Sequence, residues 1–118
     1  MAQTYNRKKL IERADRLWSQ AVLSRDFHRC QLCFRYGTDP HHIISRRHKA
    51  TAFDLDNGIC LCRECHDRMK TTEGKEWLRI VLNKTKSGLY ERLQEQAQVI
   101  VHYKNHDLLE IIEGLKRG

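Results

Sequence analysis

The chain has 118 residues, 40% of them hydrophobic and 31% charged, with a formal net charge of +7. That size suits one compact domain in which a structural metal adds meaningfully to a modest core, and no apolar run approaches the length that spans a bilayer, which excludes a membrane-spanning helix. The opening Met1-Ala2-Gln3-Thr4-Tyr5-Asn6-Arg7 leads into a charged helical pattern without an apolar stretch, so no secretory signal and no membrane partner are expected, and the cytoplasm is the expected compartment.

From Lys8 to about Arg25, apolar residues fall at Leu10, Ile11, Ala14, Leu17, Trp18, Ala21 and Val22. This spacing predicts an N-terminal helix, within 8–26, with one buried stripe. Between Cys30 and Cys65 the pattern breaks into short runs separated by Gly37, Pro40 and Gly58. The apolar pair Ile43-Ile44 and the patch Ile59 to Leu61 predict a small β-hairpin, or two strands joined by a loop over 45–56, inside a core spanning 27–70. The helical signal then returns over 72–117. A short stretch His66 to Met69 precedes a longer helix around Glu73–Lys84 with Trp77, Ile80 and Val81 on one face, and Ser87-Gly88 stops it. Leu89–Ala97 reads as a further helix and Val99-Ile100-Val101 as a short extended piece. Asn105 is the expected cap of a last helix with the stripe Leu108, Ile111, Ile112 and Leu115. No repeat or Pro/Gly/Ser-rich linker divides the chain, so residues 1–118 are expected to form a single domain.

Five cysteines without a secretory context argue for a metal rather than disulfides. Cys30-Gln-Leu-Cys33 and Cys62-Arg-Glu-Cys65 form CxxC-x28-CxxC, two knuckles that can place four thiolates on one Zn²⁺. Cys60-Leu-Cys62 offers an alternative ligand, Cys60. The excess positive charge lies in residues 1–50, which hold 11 Lys/Arg against 4 Asp/Glu, whereas residues 51–118 hold 11 of each. A basic balance confined to one segment is the footprint of a polyanion-binding face, and DNA is the expected partner class. A surface tuned only for solubility reads the same way from charge alone.

Within the cysteine frame stand His41-His42-Ile43-Ile44, then Asn57, then His66 directly after Cys65, giving H-x14-N-x8-H from His42. This order, with Asp56-Asn57-Gly58-Ile59-Cys60-Leu61-Cys62-Arg63-Glu64-Cys65-His66, resembles the HNH endonuclease family over residues 30–70. The resemblance implies an α+β fold: a small ββα-metal core with a four-cysteine zinc site, flanked by an N-terminal helix and C-terminal helices. It implies hydrolysis of DNA phosphodiester bonds to 5′-phosphate and 3′-hydroxyl ends. Carried over position by position, His41 and His66 match the ligands of a catalytic divalent ion, His42 the general base, and Asn57 the residue that braces the loop and the base. Neighbouring residues of a strand face opposite ways, which lets His41 meet an ion while His42 meets the attacking water. Two protein ligands leave an open site that suits Mg²⁺ or Mn²⁺ and tolerates other divalent ions. No small-molecule cofactor is expected, and the oligomeric state is not legible. Arg46 and Arg47 are placed to clamp a phosphate.

The register Leu-Cys-x-x-Cys-His assigns Cys62 to the zinc and leaves Cys60 a buried free thiol. His28, His48, His102 and His106 match no motif position, and Trp18 and Trp77 are expected in the core. A second, wider similarity, carried by Ala14-Asp15-Arg16-Leu17-Trp18-Ser19-Gln20, Ser24-Arg25-Asp26, Ile44-Ser45-Arg46 and the tail Leu108–Lys116, is to the phage lambda NinG (Rap) recombination proteins. It implies a phage-encoded protein of the host cytoplasm acting in DNA recombination on branched substrates. The rival reading is a zinc-ribbon DNA-binding module without catalysis, which has no need of His42.

Overall fold

The computed structural model describes residues 5–117. Helix α1 (Arg7–Arg25) is followed by strands β1 (Asp39–His42) and β2 (Gly58–Leu61), then helices α2 (Arg63–Arg68), α3 (Thr72–Thr85), α4 (Leu89–Ala97) and α5 (Asn105–Arg117). The fold is α+β, with a two-stranded antiparallel sheet at its centre.

Asn6 opens α1, its side chain accepting the Lys9 N–H, and the helix buries Leu10, Ala14, Trp18 and Val22, an i/i+4 stripe within the predicted one. The stripe meets two partners. Its N-terminal half packs on Leu108 and Ile112 of α5, and its C-terminal half places Trp18 and Val22 against Leu115 and the hairpin. The hairpin pairs Asp39 with Leu61, Pro40 with Cys60, His41 with Ile59 and His42 with Gly58. Strand β1 therefore ends where Ile43-Ile44 were expected to lie inside it, because Ile44 is diverted into hydrogen bonds with the Asn57 side chain. At Gly58 a Cβ would stand 2.4 Å from Val22 and 2.7 Å from Trp18, so only glycine lets α1 lie this close to β2.

Helix α2 starts three residues before the predicted His66, with Cys62 as its cap: the Cys62 sulfur accepts the Cys65 N–H. A second core joins Ile59 and Leu61 of β2 and Met69 to Leu78 and Leu82 of α3. The buried face of α3 is Leu78–Leu82, while Trp77 and Val81 flank it and Ile80 points outward, which corrects the predicted face by one position. Residues 99–101 join no strand, and Asn105 is the first residue of α5 rather than a flanking cap; the carboxylate of Asp107 takes the Lys104 N–H there. Among the described residues, no helix is long and apolar enough to cross a membrane.

Candidate active site

The four cysteines of the two knuckles converge. The sulfurs of Cys30, Cys33, Cys62 and Cys65 all lie within 4.8 Å of one another, with Cys33 and Cys62 3.6 Å apart. Four sulfurs each ~2.3 Å from a shared tetrahedral ion would lie just under 4 Å apart, so the group fits Zn²⁺. Its electrostatics point the same way. Burial would raise the Cys30 thiol, but backbone N–H groups of Cys33, Cys62 and Leu32 bring it down to about 7. Burial and hydrogen bonding among the sulfurs push Cys65 far above the usual thiol range. A divalent cation bound among these sulfurs would stabilise their thiolate forms. Cys60 stands outside the group. Fully buried and pushed up to about 11 by burial and by the charge of Asp26, it is a protonated thiol packed under Gly37, where a Cβ would lie 2.6 Å from its sulfur.

The two adjacent histidines part company as strand geometry requires. His41 faces α2, its ring 5.2 Å from that of His66 and edge-on to it. His42 faces α1 and stacks on Trp18. Burial, with the neighbouring His66 and His42, lowers His41 to about 4, and burial together with Arg46 lowers His42, so both rings are neutral at pH 7. His66 is turned by a residue that the motif does not contain. Its Nδ1 lies 2.8 Å from the carboxylate of Asp39, which leaves Nε2 free. Burial opposes ionisation of Asp39, but hydrogen bonds with His66 and Thr38 and the charge of Arg63 outweigh it and hold the carboxyl below its ordinary range. The signal for Asp39 was present in the sequence: it sits two positions before His41, hence on the same strand face.

The segment between the strands carries the other half of the site. Asn57, fully buried, accepts the Ile44 N–H at 2.8 Å and donates its amide to the Ile44 and Thr51 carbonyls at 3.0 and 3.1 Å. Its side-chain hydrogen bonds thus tie the loop at Ile44 and at Thr51 and run to these backbones rather than to His42. The tied loop presents the Ala52 carbonyl 3.0 Å from His42 Nε2. From outside, Tyr103 donates its hydroxyl to the Lys49 carbonyl, and Arg92 of α4 pairs with Asp54 and Asp56. Helix α1 grips the same region: Trp18 donates its indole N–H to Asp54, Arg25 its guanidinium to the Leu55 and Gly58 carbonyls, and Asp26 accepts the Cys60 N–H. Arg46 pairs with Asp15 of α1 beside His42, while Arg47 is exposed at the loop surface.

A ββα unit holding two histidines across a hairpin and helix, beside a four-cysteine group, now stands complete. Residues 28–72 match the family model of the HNH endonucleases. This segment is an HNH domain. The match spans less than half of the chain: α1, α4 and α5 lie outside it, and α3 begins where it ends. The chain matches no curated protein and no solved structure. Within the HNH domain lie the four cysteines, both strands, α2 and every motif residue from His41 to His66; the stacking Trp18 and the loop braces Arg92 and Tyr103 come from outside it.

Proposed function

We propose that the HNH domain is a DNA endonuclease in which His42 is the general base and His41 and His66 hold a catalytic divalent ion, Mg²⁺ or Mn²⁺. The observation that carries the reading is the contact of His42 Nε2 with the Ala52 carbonyl. A carbonyl only accepts, so Nε2 carries the proton and Nδ1 keeps the lone pair of a neutral imidazole, the form that takes a proton from water. The flat indole of Trp18 fixes the ring plane, and the loop tied by Asn57 fixes the acceptor.

The rings of His41 and His66 are close enough for two nitrogens to reach one ion at ~2.1 Å, and Asp39 orients the second in the manner of a carboxylate behind a metal-bound histidine. When bound there, the ion supplies positive charge to the phosphate and to the departing 3′ oxygen. Arg46 and Arg47 contact backbone phosphates beside the base, and Cys30, Cys33, Cys62 and Cys65 hold a structural Zn²⁺. Residues 1–118 act as one domain, with the helices outside the HNH match bracing its loop. The wider NinG resemblance adds branched recombination DNA as a substrate and a phage origin.

The test is cleavage of linear, supercoiled and four-way-junction DNA with Mg²⁺, Mn²⁺ or EDTA. His42→Ala is expected to keep zinc, fold and DNA binding while losing roughly 10²–10⁴-fold in rate. Near wild-type cutting by that variant, with contaminating nuclease excluded, would leave the non-catalytic zinc-ribbon binder as the better account.

A further inference from the structure

We propose that the first zinc knuckle carries a stacking platform for unpaired nucleobases, built by Phe27, Phe34 and Tyr36. These rings are 87%, 68% and 72% exposed, three large apolar side chains turned to solvent within ten residues. Exposure coincides with strain. Among the described residues, the non-glycine positions with positive φ are Phe27, His28 and Phe34, at 55°, 53° and 66°. The first two follow the end of α1 and the third follows Cys33, places where chains ordinarily use glycine or asparagine. A phenylalanine there is unfavourable both to the backbone and to solvation, and costs that fall together on the same side chains mark a binding function rather than a folding one.

The turn beneath the rings is stiff. Cys30 donates to the Arg35 carbonyl, Phe34 to Cys30 and Gly37 to His28, and Arg29 bridges Tyr36. The imidazole of His28 stacks on Tyr36, with centroids 5.8 Å apart and planes 12° from parallel. Charge selects the occupant. Residues 27–36 contain Arg29 and Arg35 and no acidic residue, and Arg35 shares an exposed ion pair with Glu64. Aromatic faces interleaved with arginines are the composition that takes single-stranded nucleic acid, in which base faces are free to stack. Paired bases present no free face, so intact duplex has little use for the rings.

The position of the platform relative to the cut rests on the function proposed above. Tyr36 precedes His41 by five residues, at most about 17 Å of extended chain. That is about five base-pair rises. An unpaired base held on Tyr36 would lie within a few nucleotides of the scissile bond, directing cleavage to duplex next to single strand.

The full-length protein, in buffer without added Mg²⁺ or Mn²⁺, is titrated with labelled oligothymidine, an abasic oligonucleotide of the same length and a blunt duplex. Wild type should prefer oligothymidine to the abasic strand, and Phe27→Ala, Phe34→Ala and Tyr36→Ala should each weaken oligothymidine binding roughly tenfold. Abasic and duplex affinities should change less than about twofold, with zinc content unaltered. Phe34→Gly should raise the melting temperature while losing the same single-strand affinity, because it relieves the strained backbone. The platform is overturned if the triple alanine variant binds oligothymidine like wild type, or if it loses duplex binding equally, as an intercalating wedge would. It is also overturned if the only change is loss of self-association in sedimentation, which would assign the rings to a second copy of the chain. Since equilibrium binding is read without the catalytic ion, failure of the base assignment to His42 would leave these affinities untouched.

Discussion

Trp18 stacks flat on His42, with ring centroids 3.8 Å apart and planes 9° from parallel. The indole is buried and donates its N–H to the Asp54 carbonyl, so a core side chain of α1 is also the wall that sets the imidazole plane. Trp18→Phe should keep a flat ring, lose about 1 kcal/mol with the N–H bond and retain most cleavage. If His42 is the base proposed above, Trp18→Leu should cut roughly 10- to 100-fold more slowly at unchanged DNA affinity, because the imidazole is no longer held in line. Single-turnover rates on saturating DNA decide it; a Leu variant as fast as wild type would reduce Trp18 to a packing residue.

Asp39 should act through His66. Asp39→Asn keeps the shape but removes the carboxylate behind Nδ1, and a weakening of about 10- to 100-fold in the divalent ion concentration needed for cleavage is expected. Zinc content should be unchanged, and higher Mn²⁺ should restore the rate. If the metal dependence does not move, the contacts of Asp39 with Thr38, Arg63 and His66 serve the fold alone.

Zinc measured in purified variants should separate the cysteines. Cys60→Ala should retain one equivalent, since Cys60 lies outside the sulfur group, whereas Cys62→Ala should lose the ion and, with it, the cap of α2. Retention by the Cys62 variant together with loss in the Cys60 variant would reverse the assignment.

Acid should weaken the fold through the buried histidines. On unfolding, His41 returns from about 4 to its ordinary 6.5, and His42 likewise rises from its lowered value. The unfolded chain then binds more protons than the folded one between pH 6.5 and about 4, so stability falls as pH falls through that window. Urea unfolding of wild type and His41→Gln at a series of pH values should show a shallower loss in the variant. Cleavage should stay level through neutrality and decline only on the acid side of 6.5, where His42 begins to hold a proton.

DNA affinity should drop steeply with salt. Charge reversal at Arg46 and Arg47 should lower the salt slope by about one per lost phosphate contact. Reversal at Lys84 and Lys86, at the end of α3, should matter less; the opposite ranking would move the DNA face to the other side of the hairpin.

Much of this molecule was legible before folding because its chemistry is local. The CxxC pairs, the His41-His42 step and the Asn57 to His66 spacing each depend on a strand's two-residue alternation or a single turn of helix, periods that residue order encodes directly. The stripe of α1 and that of α5 were readable for the same reason, whereas on α3 three adjacent apolar residues left the face ambiguous until Leu78 and Leu82 met Met69 and Leu61. What only the tertiary structure decided are relationships between segments distant in the chain: Trp18 beneath His42, Arg25 on the Gly58 carbonyl, Tyr103 and Arg92 on the loop that offers Ala52 to His42. Backbone carbonyls carry several of these contacts, and a carbonyl has no side-chain letter in a sequence. Which one a distant donor reaches is set by how closely α1 can lie on β2, and that distance exists only once Gly58 has met Val22 and Trp18.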